Sequence, residues 1–76
     1  MVRAYVMIDA GAGDAAALLD GVLAVDRVEE AHVVAGDYDI IAEVTAEEVG
    51  DVMSTVATTI RNIEGVTDTR TYVCLA

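Results

Sequence analysis

Two strand–helix–strand patterns follow one another within 76 residues, and this order limits the folds open to the chain more than any other feature. Residues 2–9 alternate in apolar character and carry Tyr5 and Met7 on the second face, which is typical of a central strand. Three further strands are predicted at residues 28–35, 39–45 and 66–75. The order βαββαβ predicts an α+β, ferredoxin-like sandwich with a four-stranded antiparallel sheet and two helices on one face.

Two amphipathic helices are predicted between the strands. Asp14 follows a glycine-rich break and is a good N-cap for the first helix. Its apolar stripe consists of Leu18, Leu19, Val22, Leu23 and Val25. Thr45 and Glu48 match a capping box, which predicts that the second helix begins directly after Thr45, and Gly65 suits a left-handed stop at its end. The second stripe consists of Val49, Val52, Met53, Val56, Ile60 and Ile63.

The small size of the chain predicts that it associates with other chains. A domain of this length buries only about 60% of the surface that its unfolded form exposes, so its stability is marginal without further support. One cysteine, Cys74, excludes an internal disulfide, and a single histidine argues against a structural zinc site. Because the strands carry apolar residues on both faces, the face opposite the helices is expected to form a homodimer, sheet to sheet or edge to edge.

The charge of the chain restricts its partners. Fourteen acidic residues stand against four arginines and no lysine, giving a net charge of −10. This charge argues against direct contact with nucleic acid. No apolar run approaches the roughly 20 residues of a membrane span, and the first residues alternate as a strand rather than forming a signal peptide, so a cytoplasmic location is expected. We interpret the acidic surface as a sign of a salt-rich, halophilic cytoplasm, in which self-repulsion is screened.

No group of residues predicts catalysis, a metal or a cofactor. His32 and Glu30 lie two residues apart on a strand, but catalytic zinc typically takes three protein ligands. Cys74 has no histidine near it in sequence to act as a base. Asp37 and Asp39 flank an open turn, where carboxylates stay solvated and ionised. We therefore expect the chain not to be an enzyme.

The turn between the second and third strands carries the main resemblance to a known family. The segment Val33-Val34-Ala35-Gly36-Asp37-Tyr38-Asp39-Ile40 resembles the strand-turn-strand segment in the effector domain of Lrp/AsnC transcription regulators, the domain of regulation of amino acid metabolism. Ile63-Glu64-Gly65-Val66 and Thr69-Arg70-Thr71-Tyr72-Val73 add to it. Members of usual length carry an N-terminal helix-turn-helix domain, whereas the first strand here follows Met1, so residues 1–76 are expected to be a single, stand-alone ligand-binding domain.

The resemblance also implies partners and a site. It implies dimers built through their sheets, assembly of dimers into larger rings such as octamers, and amino-acid effectors bound where dimers meet. It also implies contact with full-length regulators of the family. The ligand contacts that it implies are Gly36, Asp37, Tyr38, Asp39, Thr69 and Thr71. The residues alone also allow turn and packing roles: Gly36 for a positive φ, Tyr38 for a subunit contact, and the threonines for strand propensity.

Three functions remain open at this point. The leading interpretation is an amino-acid-sensing and oligomerisation domain that modulates transcription indirectly, without binding DNA itself. The second is a small dimeric α/β-barrel enzyme of the monooxygenase type. That enzyme would need a polar pocket, yet the chain has one histidine, no tryptophan and no phenylalanine. The third is a purely structural assembly module, which would differ from the first only in its lack of a ligand response.

Overall fold

Four strands and two helical segments form the domain, which a computed structural model describes over residues 1–76. The strands are β1 (Val2–Asp9), β2 (Val28–Val33), β3 (Ile40–Ala46) and β4 (Asp68–Val73). The helices are α1 (Ala15–Leu23) and α2 (Val49–Ser54), and α2 continues directly into a π-helical segment, Thr55–Ile60. No helix is long and apolar enough to cross a membrane.

The strand order confirms the predicted ferredoxin-like fold. The four strands form one sheet in the order β2-β3-β1-β4, and every neighbouring pair is antiparallel. β1 and β3 lie in the centre and β2 and β4 at the edges, so the doubly apolar strand at residues 2–9 is central as predicted. A hairpin joins β2 to β3, also as predicted.

The hydrophobic core lies between the helices and one face of the sheet. Its sheet side comes chiefly from Ala4, Val6, Ile8, Ile40, Ala42 and Val44, all fully buried. Its helix side comes from Leu18, Val22, Val52, Val56 and Ile60. The predicted stripes were too broad, because Leu23, Val49 and Met53 are nearly half exposed. Leu19, Val25 and Ile63 pack only at the margin of the core.

The two helix starts differ from each other in their capping. Asp14 is the N-cap of α1 as predicted, and its carboxylate accepts hydrogen bonds from the backbone N–H groups of Ala16 and Ala17. The predicted capping box was wrong. β3 continues through Ala46 and α2 begins only at Val49, while the Thr45 hydroxyl donates to the Glu29 carboxylate (2.9 Å) across the sheet. Pairing with Val2 and Arg3 of β1 extends β3 past the local helix signal.

The sheet face opposite the helices is uncovered, and we call it the open face. Each strand contributes alternate residues to it. One cross-strand row reads His32, Ile41, Met7 and Arg70, and the next reads Glu30, Glu43, Tyr5 and Tyr72. Tyr5 is 37% exposed and Tyr72 is 53% exposed, directly opposite one another. This face therefore presents aromatic and aliphatic side chains to its surroundings, framed by charges.

Candidate functional site

Hydrogen bonds to the end of β1 hold the turn between β2 and β3 in place. The Val34 N–H donates to the Asp39 carbonyl (2.8 Å) and closes the turn. The Asp39 N–H donates to the Ile8 carbonyl (2.9 Å), and the Asp39 carboxylate accepts a hydrogen bond from the Ala10 N–H (2.8 Å). Both the backbone and the side chain of Asp39 therefore hold the end of the turn against the end of β1.

A groove of about 270 Å³ lies between this turn and the open face. Met7 and Ile41 from the sheet form part of its wall. The rest of the wall is the chain from Val34 to Tyr38. Tyr38 is half-buried, and its hydroxyl donates to the Asp68 carboxylate on β4 (3.4 Å). The turn therefore reaches over the open face towards the opposite edge strand.

Three of the six predicted ligand residues line this groove, namely Gly36, Asp37 and Tyr38. Asp39 is adjacent in sequence, but its carboxylate is bonded to Ala10 instead of lining the groove. Thr69 and Thr71 lie opposite Ile8 and Val6, whose side chains belong to the core. These threonines therefore share the helix-packed face of the sheet, and the Thr69 hydroxyl accepts a hydrogen bond from Arg61 (3.2 Å).

The backbone of the turn departs from one expectation. Positive φ angles occur at Gly11 and Gly65 and not at Gly36. Gly65 thus confirms the left-handed stop after the second helix, whereas the positive φ considered for Gly36 was wrong. A Cβ built on Gly36 would meet no atom within 4 Å. Nothing inside the chain requires a glycine at this position.

Three residues near the turn were not predicted as site residues from the sequence. Met7 and Ile41 face each other across β1 and β3, and Arg70 is the partner of Met7 on β4. The signal for Met7 and Ile41 was the apolar second face of the central strands, which we assigned to dimerisation, whereas Arg70 lies on the edge strand β4. The side chains of Tyr72 and Tyr38 raise the pKa of the Arg70 guanidinium above its ordinary value, which keeps a cation beside the groove.

The open face also carries a tyrosine–carboxylate pair at its centre. The Tyr5 hydroxyl donates to the Glu43 carboxylate (3.2 Å), and Arg3 approaches the same carboxylate at 3.8 Å. The hydrogen bond and the charge of Glu43 raise the pKa of Tyr5 above its ordinary value. His32 and Glu30 form an exposed pair at 3.4 Å, and no cluster of three or more metal-ligating side chains occurs.

A larger groove of about 440 Å³ lies on the other side of the molecule. It runs between α1 and the loop after the π-helical segment. Its walls include Gly13, Ala17 and Gly21 of the first helical region and Ile63 to Gly65 of the loop. None of the predicted ligand residues lines it, so it does not coincide with the site that the sequence indicated.

Comparison with known proteins places this fold among transcriptional regulators. Residues 3–76 match the family described as the Lrp/AsnC ligand binding domain. The leucine-responsive regulatory protein of Haemophilus influenzae is 33% identical over 52 residues, which are 68% of this chain and 31% of that protein. The chain thus spans less than a third of that relative.

Solved structures extend the match to the whole fold. A crystal structure of a protein from Thermus thermophilus superposes with a TM-score of 0.92 and 29% identity, covering 100% of this chain and 95% of the other. A Neisseria meningitidis transcriptional regulator, solved as a complex with L-Met, has a TM-score of 0.85 and 18% identity. That match covers 99% of this chain and 50% of the regulator, and it shows the fold alone.

These matches decide between a regulator and an enzyme. Lrp/AsnC proteins are transcriptional regulators and not enzymes, so the monooxygenase interpretation is wrong. The match over residues 3–76 also agrees with the resemblance that the turn and the last strand indicated. The chain belongs to the Lrp/AsnC family, whose ligand binding domain it forms.

Proposed function

We propose that this domain senses an amino acid in the cytoplasm and converts its binding into a change of assembly, without contacting DNA itself. The effector would lie in the groove between the turn and the open face. The observation that carries the proposal is the position of that groove, because Gly36, Asp37 and Tyr38 all line it. The Neisseria meningitidis regulator of the same fold was solved with L-Met, which supports an amino acid as the class of effector.

The charge of the chain supports an indirect effect on transcription. At a net charge of −10 the domain repels the phosphate backbone, whose attraction to cationic side chains supplies most non-specific binding to DNA. The regulatory output would then pass through other proteins, with full-length Lrp/AsnC regulators as the proposed partners. The domain would act on them by joining or remodelling their oligomers.

The open face supports self-association as the first step of assembly. Tyr5 and Tyr72 are exposed beside Met7 and Ile41, and aromatic residues are enriched in protein interfaces. We propose a homodimer through this face, with dimers joining into a higher oligomer such as an octamer. An effector can favour one assembly over another only by its differential affinity for the two.

The first experiment is thermal unfolding of the chain in high-salt buffer against each of the twenty amino acids. A ligand that binds only the folded state stabilises it by RT ln(1 + [L]/Kd), so a true effector raises the unfolding temperature in proportion to the logarithm of its concentration. We expect such a rise for one amino acid or a small related group.

A purely structural assembly module is the second candidate. The bond from Ala10 to the Asp39 carboxylate favours it, because that side chain has a partner within the chain. A panel in which no amino acid shifts the unfolding temperature would contradict sensing and support this candidate.

A further inference from the structure

The groove beside α1 is the largest cavity of the domain, and the proposed amino-acid site does not include it. Its volume is about 440 Å³, and we call it the α1 groove. Ala10 and Leu18 are the most buried of its lining residues, at 4% and 8% exposed. None of the four arginines lines it. The helical side of the domain thus carries a cleft with an apolar floor that the amino-acid site leaves unused.

The α1 wall of this groove is low because its side chains are small. Gly13, Ala17 and Gly21 follow one another at intervals of four residues, and all three line the groove. Side chains four residues apart on a helix form a ridge, and helices pack by fitting the ridge of one into the groove of another. Where the ridge consists of glycine and alanine, a neighbouring helix can approach closely. The shape therefore suits a second helix with larger side chains at the same spacing.

The wall that faces α1 is a closed turn. The Ile63 N–H donates to the Ile60 carbonyl (3.1 Å), and the Val66 N–H donates to the Ile63 carbonyl (3.1 Å). A Cβ built on Gly21 would lie 3.4 Å from the Ile63 Cγ2 atom, so the two walls meet at this end of the groove. Contacts within the chain therefore hold the groove in shape without a partner.

A carboxylate stands on each wall of the α1 groove. Asp14 belongs to the α1 wall and Glu64 to the facing turn, and both residues are exposed. Neither forms an ion pair within the chain, since the two ion pairs of the domain lie on the open face at Glu43 and Glu30. An apolar channel between two carboxylates, with no cation in its lining, is complementary to an apolar ridge flanked by lysine or arginine.

We propose that the α1 groove docks a basic amphipathic helix of a partner protein, with an apolar ridge in the channel and cationic side chains at Asp14 and Glu64. A second copy of this chain is a poor occupant, because two molecules of net charge −10 repel one another. The inference goes beyond the proposed function, since it concerns a different surface from the amino-acid groove and assigns the place where another protein binds.

Fluorescence anisotropy with labelled peptides tests the docking, at the lowest salt in which the chain is folded. The probe is a peptide of about 18 residues of alanine, leucine and lysine, long enough to form a helix. Leucine occupies every fourth position, with lysines on both sides of this ridge. One control peptide replaces lysine by glutamine, and the other spreads the same leucines around the helix. We expect each control to bind at least about tenfold more weakly, because one loses the ion pairs and the other the apolar ridge.

The peptide result is separable from amino-acid sensing. A probe that does not bind, or a control that binds as tightly as the probe, would overturn the docking. Neither result changes the amino-acid panel, which tests the proposed function by the unfolding temperature alone.

Two neighbouring alanines of α1 provide a matched pair of variants. Ala17 lines the groove, whereas Ala16 is exposed on the same helix outside it. Ala17→Leu fills the channel, so we expect the probe to bind at least about tenfold more weakly. Ala16→Leu should leave probe binding within about twofold. Leucine is a good helix former, and urea unfolding checks that both variants are folded. Equal probe affinities in the two variants would overturn the assignment of this groove.

Two exposed glutamates separate docking in the groove from attraction to the net charge. Glu64 lines the groove, whereas Glu47 precedes α2 and does not. We expect Glu64→Gln to weaken binding of the lysine probe about threefold and to leave the glutamine peptide unchanged, because only the lysine probe loses an ion pair. Glu47→Gln removes the same charge and should have a smaller effect on the lysine probe. Equal effects of the two substitutions would show that the peptide responds to net charge alone and would overturn the docking.

Discussion

Gly36 and Gly11 show how differently two glycines in one small domain can be constrained. Gly11 has a φ of +60°, and a Cβ there would come within 2.9 Å of the Thr67 Cγ2 atom. Gly36 has open space around it and no positive φ. The fold thus requires a glycine at residue 11, whereas only a molecule from outside the chain would require one at residue 36.

Alanine substitutions at these two glycines should therefore separate folding from binding. We expect Gly36→Ala to keep or slightly raise the free energy of unfolding, by up to about 1 kcal/mol, because alanine restricts the unfolded chain. Gly11→Ala should lower it by about 1–2 kcal/mol through the left-handed backbone alone. Urea unfolding measures both, and calorimetry with the amino acid that raises the unfolding temperature should show weaker binding by Gly36→Ala. Equal destabilisation by the two variants would contradict this account.

Contacts between residues far apart in sequence decide where several of the predicted site residues lie. The alternation of β4 places Thr69 and Thr71 on one face, but its pairing with β1 decides that this face packs on the helices. The Asp39 carboxylate bonds Ala10, which is 29 positions away in sequence. That Gly36, Asp37 and Tyr38 lie beside one groove was predictable, because they share one short turn. Long-range contacts of this kind leave no local pattern to recognise.

Helix capping illustrates the same limit at the level of elements. Asp14 follows a glycine-rich break where no strand competes, and it caps α1 as predicted. Thr45 belongs to a pattern that satisfies the capping box, yet its backbone N–H donates to the Arg27 carbonyl (3.0 Å) and holds it in the sheet. The capping-box pattern at Thr45 is therefore outweighed by the pairing of this residue within the sheet.

Substitution of the two N-caps tests this distinction. Asp14→Ala removes an oxygen that accepts hydrogen bonds from two backbone N–H groups, and we expect the free energy of unfolding to fall by about 1 kcal/mol. Glu48 is the N-cap of α2 but makes no side-chain bond there, so Glu48→Gln should change stability by less than about 0.5 kcal/mol. Urea unfolding of the two variants in parallel provides the comparison. A larger loss for Glu48→Gln would show that the cap of α2 is misassigned.

The sequence pattern also did not predict the π-helical segment. The Thr55 hydroxyl donates to the Asp51 carbonyl (2.8 Å) and the Thr58 hydroxyl to the Ser54 carbonyl (2.6 Å). Side-chain bonds of this kind compete with the helix ladder and bend it. The Arg61 N–H donates to the Val56 carbonyl five residues back, which is the spacing of a π-helix. A strict period of 3.6 therefore placed Ile63 in the helix, beyond its actual end.

Net charge acts on the whole molecule. Fourteen acidic groups on a chain with a radius of gyration of 11.3 Å repel one another when the domain is compact. Raising the salt from about 0.1 M to about 1 M shortens the screening length from about 10 Å to about 3 Å, so the urea midpoint should rise over that range. Asp20, Asp26 and Glu64 are exposed, and replacing them with the neutral amides should reduce this salt dependence. A midpoint independent of potassium chloride would contradict the salt-rich interpretation.

The overall fold was predictable because the order of elements and the apolar pattern agree with it. Once βαββαβ is read from the chain, right-handed crossovers and one hydrophobic core leave few arrangements, and the observed order β2-β3-β1-β4 is one of them. The groove was not predictable from the pattern, because Met7 reaches the turn only through the pairing of β1 with β3.

Sedimentation velocity of the chain in high salt, with and without a saturating concentration of the amino acid that raises the unfolding temperature, tests the central claim that effector binding is coupled to assembly. We predict that the effector redistributes the chain between discrete species, for example from dimers to a larger oligomer, and that Asp37→Asn shifts less at the same concentration. Sedimentation profiles that stay identical while calorimetry records binding would contradict the coupling.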